Sequence, residues 1–192
     1  EVLIVLTGGT DYEPTNSNYV SNTGSLSSTV QSRVDAAASK GWTSLYNAHV
    51  ADYQNYFGRM TLSFSGAKNT MPTNDLVDTY NSGSCSASNA RMLEQLYFAY
   101  GRYLEIASSR GVALPSNLQG IWSNTSYAAW NADIHANINV QMNYWPAEIT
   151  NLSEMHMPFL DYIINMSNSA QWQSYAKHTC SGRTNSSAGG SF

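Results

Sequence analysis

Side chains that could bind a sugar are concentrated in one stretch of the chain, from Leu114 to Glu154. This stretch contains no Lys or Arg. Amide and imidazole groups can donate and accept hydrogen bonds, and indole faces cover apolar C–H surfaces. These residue types predict a pocket for an uncharged, hydroxyl-rich ligand, although a buried polar network that fixes a helical core would use the same types. The side chains concerned are Asn117, Gln119, Trp122, Trp130, Asn131, His135, Asn137, Asn139, Gln141, Asn143 and Trp145.

The same region offers few groups for acid–base chemistry. Hydrolysis of a glycosidic bond generally needs one acid for the leaving oxygen and a second group on the opposite side of the bond. The available carboxylates are Asp133, Glu148 and Glu154, and none has a spacing that distinguishes a catalytic acid from a helix cap or a surface charge. Glu154 and His156 could bind a metal, but no third ligand matches them. The sequence therefore predicts neither a metal nor a cofactor, and it leaves the acid unassigned.

The centre of the stretch carries two periodicities at once. Polar and apolar residues alternate over 134–141, which fits an extended segment with the polar side chains on one face. A helix that ends at Pro146 fits the same residues. We expect the first half to be extended and a helix to begin around Asn139. The polar side chains on the shared face are His135, Asn137, Asn139 and Gln141.

The surrounding elements are predicted to be mainly helical, because apolar residues recur every three to four positions. Gly41 is expected to separate the first two helices, and Pro158 is expected only within the first turn of the helix that begins at Ser153. Residues 114–132 lack a period and are predicted to be a long ordered loop, which is often functional. The predicted helices span 29–40, 43–57, 73–80, 89–109, 153–166 and 170–178.

The helix predicted over 89–109 has the clearest amphipathic pattern. Its aromatic residues are interpreted as core, not as ligand contacts. The predicted apolar stripe comprises Leu93, Leu96, Tyr97, Tyr100, Leu104 and Ala107.

Two segments have the pattern of strands, and the second of them fits an extended edge equally well. Residues Val2–Thr7 are apolar and β-branched, and Met60–Ser65 alternate between apolar and polar. Because a single strand has no partner, we expect Val2–Thr7 to be the last strand of a preceding β domain. Residues 11–28 are rich in Asn, Ser, Thr and Gly and are predicted to be a linker or surface loop.

Charge and hydropathy limit the classes of partner. The formal net charge is -4 and only nine residues are Lys or Arg, scattered along the chain. Nucleic-acid binding needs clustered cations, so it is not predicted. No apolar run is long enough to cross a membrane, and the motifs of nucleotide-binding loops, zinc hydrolases and α/β hydrolases are absent from the sequence.

Composition favours an extracellular location. Charged residues make up 11% of the sequence, well below the usual quarter. Four Asn-x-Ser/Thr sequons also favour an extracellular location. Any export signal is expected outside this sequence. Cys85 and Cys180 could form a disulfide, which the sequence alone does not decide. The sequons begin at Asn124, Asn151, Asn165 and Asn185.

Three motifs carry a resemblance to a known family. They are LPSNLQGIW at 114–122, WNADIHANINVQMNYWPAE at 130–148 and NLSEMHMP at 151–158. Together with residues 49–62 and 96–110, they resemble glycoside hydrolase family 95, the inverting α-L-fucosidases. The similarity covers roughly residues 30–165, and the HxNxNxQMNYWP run is its most specific part.

The resemblance implies an (α/α)6 barrel preceded by a β domain. The expected fold is therefore mainly α. Residues 1–28 would be the end of the β domain and a linker, 29–180 the first helices of the barrel, and 181–192 a flexible tail.

The resemblance also implies hydrolysis of terminal α-1,2-linked L-fucose with inversion. Asn137 and Asn139 would lie at the catalytic centre, His135 would contact the sugar, and one asparagine would position the attacking water. The carboxylate and the general-acid glutamate would come from later helices of the same protein. Trp122, Trp130 and Gln141 are expected to complete the substrate-binding surface.

Two functions from different classes therefore remain open. The chain could be part of a fucosidase-like enzyme that needs its missing C-terminal helices. It could also be a sugar-binding, lectin-like protein for fucose- or galactose-type sugars, with an amide-rich pocket and no acid. L-Galactose differs from L-fucose by one hydroxyl, so a related pocket could accept either sugar.

Overall fold

The computed structural model describes residues 2–13, 16, 20–21 and 24–180, with Thr179 and Cys180 described by their backbone alone. The chain divides into two compact units, residues 1–55 and 56–192. The predicted tail at 181–192 and the possible pairing of Cys85 with Cys180 lie outside the described part. All residues of the candidate site belong to the second unit.

The described chain is mainly helical, as predicted. Gly41, with φ 71° and ψ 165°, interrupts the first helix at the position where the sequence predicts a break. A conformation at that φ is unfavourable for residues with a Cβ, so glycine suits the position. A short 3-10 turn covers Ala129–Ala132. The helices are α1 (Leu26–Phe57), α2 (Thr73–Asn81), α3 (Ala87–Ser109), α4 (Asn139–Ile149), α5 (Ser153–Ser167) and α6 (Ala170–Cys180).

Neither segment with the pattern of a strand is paired within the described chain. Residues 2–7 and 60–65 have no ladder partner in the described chain, where isolated bridges join Tyr12 to Val20 and Asn117 to Gly120. Strands need a neighbour to satisfy their backbone groups. Over 60–65, side chains of α3 do this instead. Arg102 Nη1 donates to the Met60 carbonyl at 2.8 Å, and the Phe64 amide donates to Gln95 Oε1.

Helix α4 begins at Asn139, as predicted, but it does not end at Pro146. Pro146 lies inside the helix, which continues to Ile149, and its carbonyl accepts a hydrogen bond from the Thr150 amide at 2.9 Å. Pro158 lies just beyond the first turn of α5, whose bounds agree with the predicted helix over 153–166. Each proline removes one helical donor, and packing of α4 against α5 offsets that loss.

The core of the second unit forms where α4 meets α5. Val140, Tyr144 and Phe159 form a buried cluster, and Ile134 packs against it from the segment before α4. Helix α3 contacts α2, α4 and α5. The segment that enters α4 is therefore fixed to the core at Ile134.

The predicted stripe of α3 is wrong at four positions, since Leu96, Tyr97, Tyr100 and Ala107 are exposed in the described chain. The face that packs inward is more polar. Its buried residues include Arg102, whose guanidinium also donates to the carbonyls of Tyr56 and Phe57 at 2.9 and 2.7 Å. A planar guanidinium can satisfy several carbonyls at once, which explains a buried arginine here. The buried residues of α3 are Asn89, Arg102, Glu105, Ile106, Ser108 and Ser109.

None of the helices described here combines the length and the apolar composition that a transmembrane span requires.

Candidate functional site

The candidate site is built around the turn that leads into α4. The Val140 amide donates to the His135 carbonyl at 2.9 Å, which folds the turn onto the start of the helix. Ile138, at φ 81°, separates Asn137 from Asn139. Asn137 is exposed before the helix, and Asn139 is its half-buried first residue. Both amides therefore lie at a helix N-terminus, where unpaired N–H groups and the helix dipole favour electron-rich oxygens.

Ile138 has an unusual conformation for its residue type. β-Branched residues disfavour positive φ, and such strain persists only where the surrounding structure imposes it. Here the bond from Val140 to His135 and the burial of Val140 fix the chain on either side. The strained residue sets the spacing of the two asparagines that flank it.

The environment of His135 indicates which ring nitrogen can bind a ligand. Nδ1 lies 3.3 Å from the Asp133 carbonyl oxygen. A carbonyl accepts only, so this bond assigns the proton of the neutral ring to Nδ1. Nε2 then carries a lone pair and can accept a hydrogen bond from a sugar hydroxyl.

Gln141 contributes to the turn itself. Its Nε2 donates to the Ala136 carbonyl, and its Oε1 is buried without a hydrogen-bond partner among the described residues. The amide nitrogen is thus engaged with the backbone of the segment that carries Asn137. Direct contact of Gln141 with a sugar stays a prediction.

Two further amides of the stretch hold the loop to α4. Asn143 Nδ2 donates to the carbonyl oxygens of Ser116 and Asn117 at 3.3 and 2.9 Å. Asn117 Nδ2 donates to the Ala132 carbonyl at 3.2 Å, and its Oδ1 accepts from the Gln119 amide at 2.8 Å. The alternative interpretation of the stretch, a polar network that fixes the core, therefore describes Asn117 and Asn143.

Tyr144 is a structural residue that sequence reasoning missed. Its ring is 2% exposed and stacks on Phe159 and His156, with centroids 5.4 and 5.9 Å apart. Its hydroxyl accepts from the Ser116 amide at 2.8 Å and lies 3.0 Å from Ser109 Oγ. A buried tyrosine hydroxyl needs a hydrogen-bond partner. In the sequence, the only sign that Tyr144 is buried was its i, i+4 spacing from the apolar Val140 on α4.

The two candidate indoles lie on the loop at 114–132. Trp122 and Trp130 are 42% and 60% exposed. The Trp122 ring lies against the α-carbon of Gly120, where a Cβ would come within 2.6 Å of ring atom Cε3. Exposed indole faces at these positions can cover the C–H face of a sugar.

Two of the three carboxylates of the stretch, Glu148 and Glu154, contact basic side chains. Arg59 donates to both oxygens of Glu154 at 2.8 and 2.9 Å, and these hydrogen bonds lower the pKa of Glu154. Glu148 Oε1 lies 3.0 Å from His156 Nδ1. Glu154 and His156 thus have different partners, and the described residues contain no cluster of three or more metal-ligating side chains.

Glu105 is a second residue that sequence reasoning missed. It lies on the buried face of α3, 8% exposed, and burial raises its pKa to about 7. Its Oε1 has no hydrogen-bond partner within the described chain. A charged residue between Leu104 and Ile106 was the only signal in the sequence.

Comparison with known proteins identifies the family. Residues 41–188 match the Glycosyl hydrolase family 95 catalytic domain. The chain belongs to this family. The resemblance carried by the motifs is thereby confirmed, and the mainly helical fold is that of part of an (α/α)6 barrel.

Named relatives agree with the assignment. The chain is 37% identical over 169 residues to "Probable alpha-fucosidase A" of Aspergillus niger, which covers 85% of this chain and 21% of that protein. The Aspergillus oryzae protein of the same name is 36% identical over 166 residues, covering 83% and 23%. "Alpha-L-fucosidase 2" of Arabidopsis thaliana is 37% identical over 136 residues, covering 68% and 16%. The chain spans about a fifth of the length of these curated relatives.

Proposed function

We propose that this chain is part of a glycoside hydrolase that removes terminal α-1,2-linked L-fucose from oligosaccharides or glycans with inversion. The names of the family 95 relatives support fucose as the sugar. The observation that carries the proposal is the turn before α4, which brings His135, Asn137 and Asn139 to one helix N-terminus.

In this mechanism the asparagines orient the nucleophile. An amide oxygen is scarcely protonated at neutral pH, so it accepts a hydrogen bond from water without taking its proton. A carboxylate beside it must take the proton, and a carboxylic acid on the other side of the bond must protonate the leaving oxygen. We propose that later helices of the same polypeptide supply both groups. Asn139, the half-buried first residue of α4, is better shielded than the exposed Asn137 and is assigned to the water.

Sugar recognition divides between polar and apolar contacts. His135 Nε2 accepts from a hydroxyl, and the exposed faces of Trp122 and Trp130 cover the C–H surface and the methyl group of fucose. A pocket lined by apolar atoms discriminates only weakly against one added hydroxyl. L-Galactosides are therefore expected to be hydrolysed as well, although more slowly than L-fucosides.

We further propose that later helices of the same polypeptide cover the exposed apolar side chains of the second unit. Tyr97, Trp145 and Ile149 are 79%, 60% and 78% exposed on α3 and α4. Large contiguous exposed apolar surfaces generally belong to interfaces. The greater length of the relatives supplies enough chain for the remaining barrel.

The protein is proposed to be a secreted glycoprotein. The sequon asparagines Asn124, Asn151 and Asn165 are exposed, so each could carry a glycan, and Asn185 lies outside the described residues. Intact mass before and after enzymatic deglycosylation of the native protein tests this proposal. An unchanged mass contradicts it.

The reaction is tested on the complete polypeptide with a 2'-fucosylated oligosaccharide. Proton NMR should detect β-L-fucose first, because inversion of an α-linkage produces the β-anomer. Initial release of α-L-fucose contradicts inversion. Binding without release, measured by calorimetry, would support the sugar-binding alternative.

A further inference from the structure

Asn117 makes more hydrogen bonds than a loop residue of its exposure requires. Its backbone exchanges bonds with Gly120, from Asn117 N at 3.2 Å and from Gly120 N at 2.9 Å. Its carbonyl also accepts from Asn143, and its side chain joins Gln119 to Ala132. Every polar group of the residue is therefore engaged.

These bonds connect three parts of the site. The pair with Gly120 closes the turn that leads to Trp122. The bond to Ala132 reaches the segment that holds Trp130. The bond from Asn143 fixes the same residue to α4, the helix whose first residue is Asn139.

The segment at 130–132 needs support from outside itself. Trp130, Asn131 and Ala132 have φ values of 51°, 54° and 58°. Consecutive left-handed residues with a Cβ are unfavourable and persist where the surroundings impose them. Asn117 Nδ2 supplies such support, because it donates a hydrogen bond to the carbonyl of Ala132, the last of the three residues.

We propose that Asn117 is a positioning residue that holds the turns of Trp122 and Trp130 at fixed places relative to α4. The expected effect on sugar binding rests on the proposed function, whereas the positioning role does not. Asn117 need not touch the sugar, since both of its side-chain polar atoms are engaged with the protein. Its loss displaces the indoles and leaves the asparagines of α4 in place, so KM rises more than kcat falls.

Asn117→Asp removes the hydrogen bond to Ala132 and keeps the one from Gln119. The aspartate keeps the oxygen that accepts from the Gln119 amide and replaces the donor with a second oxygen. Asn124→Asp is the matched control, because Asn124 is exposed in the same loop and the change adds the same charge. Both variants are made in the complete polypeptide, expressed without glycosylation.

We expect Asn117→Asp to raise KM for the fucosylated oligosaccharide roughly fivefold with kcat changed less than twofold. Hydrogen exchange should become faster in peptides covering 117–133 and stay unchanged in α5. Asn124→Asp should match the wild type in both measurements. If Asn117→Asp does not fold, Asn117→Ser takes its place, since its hydroxyl can accept from Gln119 and is too short to reach Ala132.

The proposal fails if exchange over 117–133 is unchanged, or if exchange rises and KM stays at the wild-type value. A fall in kcat with unchanged KM also overturns it. An inactive wild type would instead contradict the proposed function, and the exchange measurement would still decide whether Asn117 holds the two turns.

Discussion

The Tyr144 hydroxyl lies 2.8 Å from the Ser116 amide nitrogen, so a buried side chain of α4 holds the start of the loop that carries both candidate indoles. The same hydroxyl lies 3.0 Å from Ser109 Oγ on α3. One oxygen thus joins two helices and the loop at a place closed to solvent.

Tyr144→Phe is expected to destabilise the domain by about 1–3 kcal/mol, because it leaves the buried Ser116 amide without its acceptor. The ring stack with Phe159 is retained, so the loss reports the hydroxyl alone. Denaturant unfolding of the complete protein measures the change. Tyr127→Phe is the control, since Tyr127 is fully exposed on the same loop. Equal stability of the two variants would contradict this assignment.

Glu105 gives the domain a stability that depends on pH. Burial raises its pKa from 4.5 to about 7, so the folded state holds a proton that the unfolded state releases. The contribution is fully favourable below about pH 4.5 and is lost as pH rises through 7. The shift in pKa corresponds to a decrease of about 3 kcal/mol in the free energy of unfolding at alkaline pH.

Glu105→Gln should remove this dependence. The variant is expected to melt higher than the wild type at pH 8 and to approach it at pH 5, because an amide stays neutral. Glu94→Gln is the control, an exposed carboxyl on the same helix. A parallel pH dependence in wild type and Glu105→Gln would show that Glu105 is not the titrating group.

Gly120→Ala is expected to displace the Trp122 ring. The added Cβ would meet the indole, and the residue has φ +70°. Gly83→Ala is a close control, since Gly83 has φ +74° and open space around the Cβ position. Both variants share the backbone strain, so only Gly120→Ala should also shift the tryptophan emission and weaken fucose binding. Identical emission spectra would contradict the packing of Trp122 on Gly120.

The sequence predicts the elements of the site better than their connections. The start of α4 at Asn139 is confirmed, whereas residues 136–138, predicted to be extended, form a turn. The predicted end of α4 at Pro146 is wrong, because tertiary packing offsets the cost of the proline and no local pattern contains that packing.

The amides of the site illustrate the same limit. Asn117, Asn137 and Asn143 have the same side chain, and composition treats them as equivalent. In the structure, Asn117 and Asn143 bind backbone carbonyls of the loop, while Asn137 is exposed in the turn. The partners lie 15 to 27 residues away, so only the fold can distinguish structural amides from candidate ligands.

The lack of strand pairing over Met60–Ser65 has a related reason. The alternation in Met60–Ser65 is real, but its backbone groups are satisfied by Arg102 and Gln95 from α3. A period of two predicts an extended chain and not a paired one. The origin of residues 1–28 in a β domain stays a prediction.

The turnover of Asn139→Ala in the complete protein tests the central claim most directly. Removing a water-orienting amide should lower kcat about 100-fold or more, because that amide acts chiefly in the transition state. Calorimetric binding of L-fucose should change only a few-fold, and Asn124→Ala should behave as the wild type when both proteins are expressed without glycosylation. Wild-type turnover in Asn139→Ala would contradict the assignment of the α4 N-terminus as the catalytic centre.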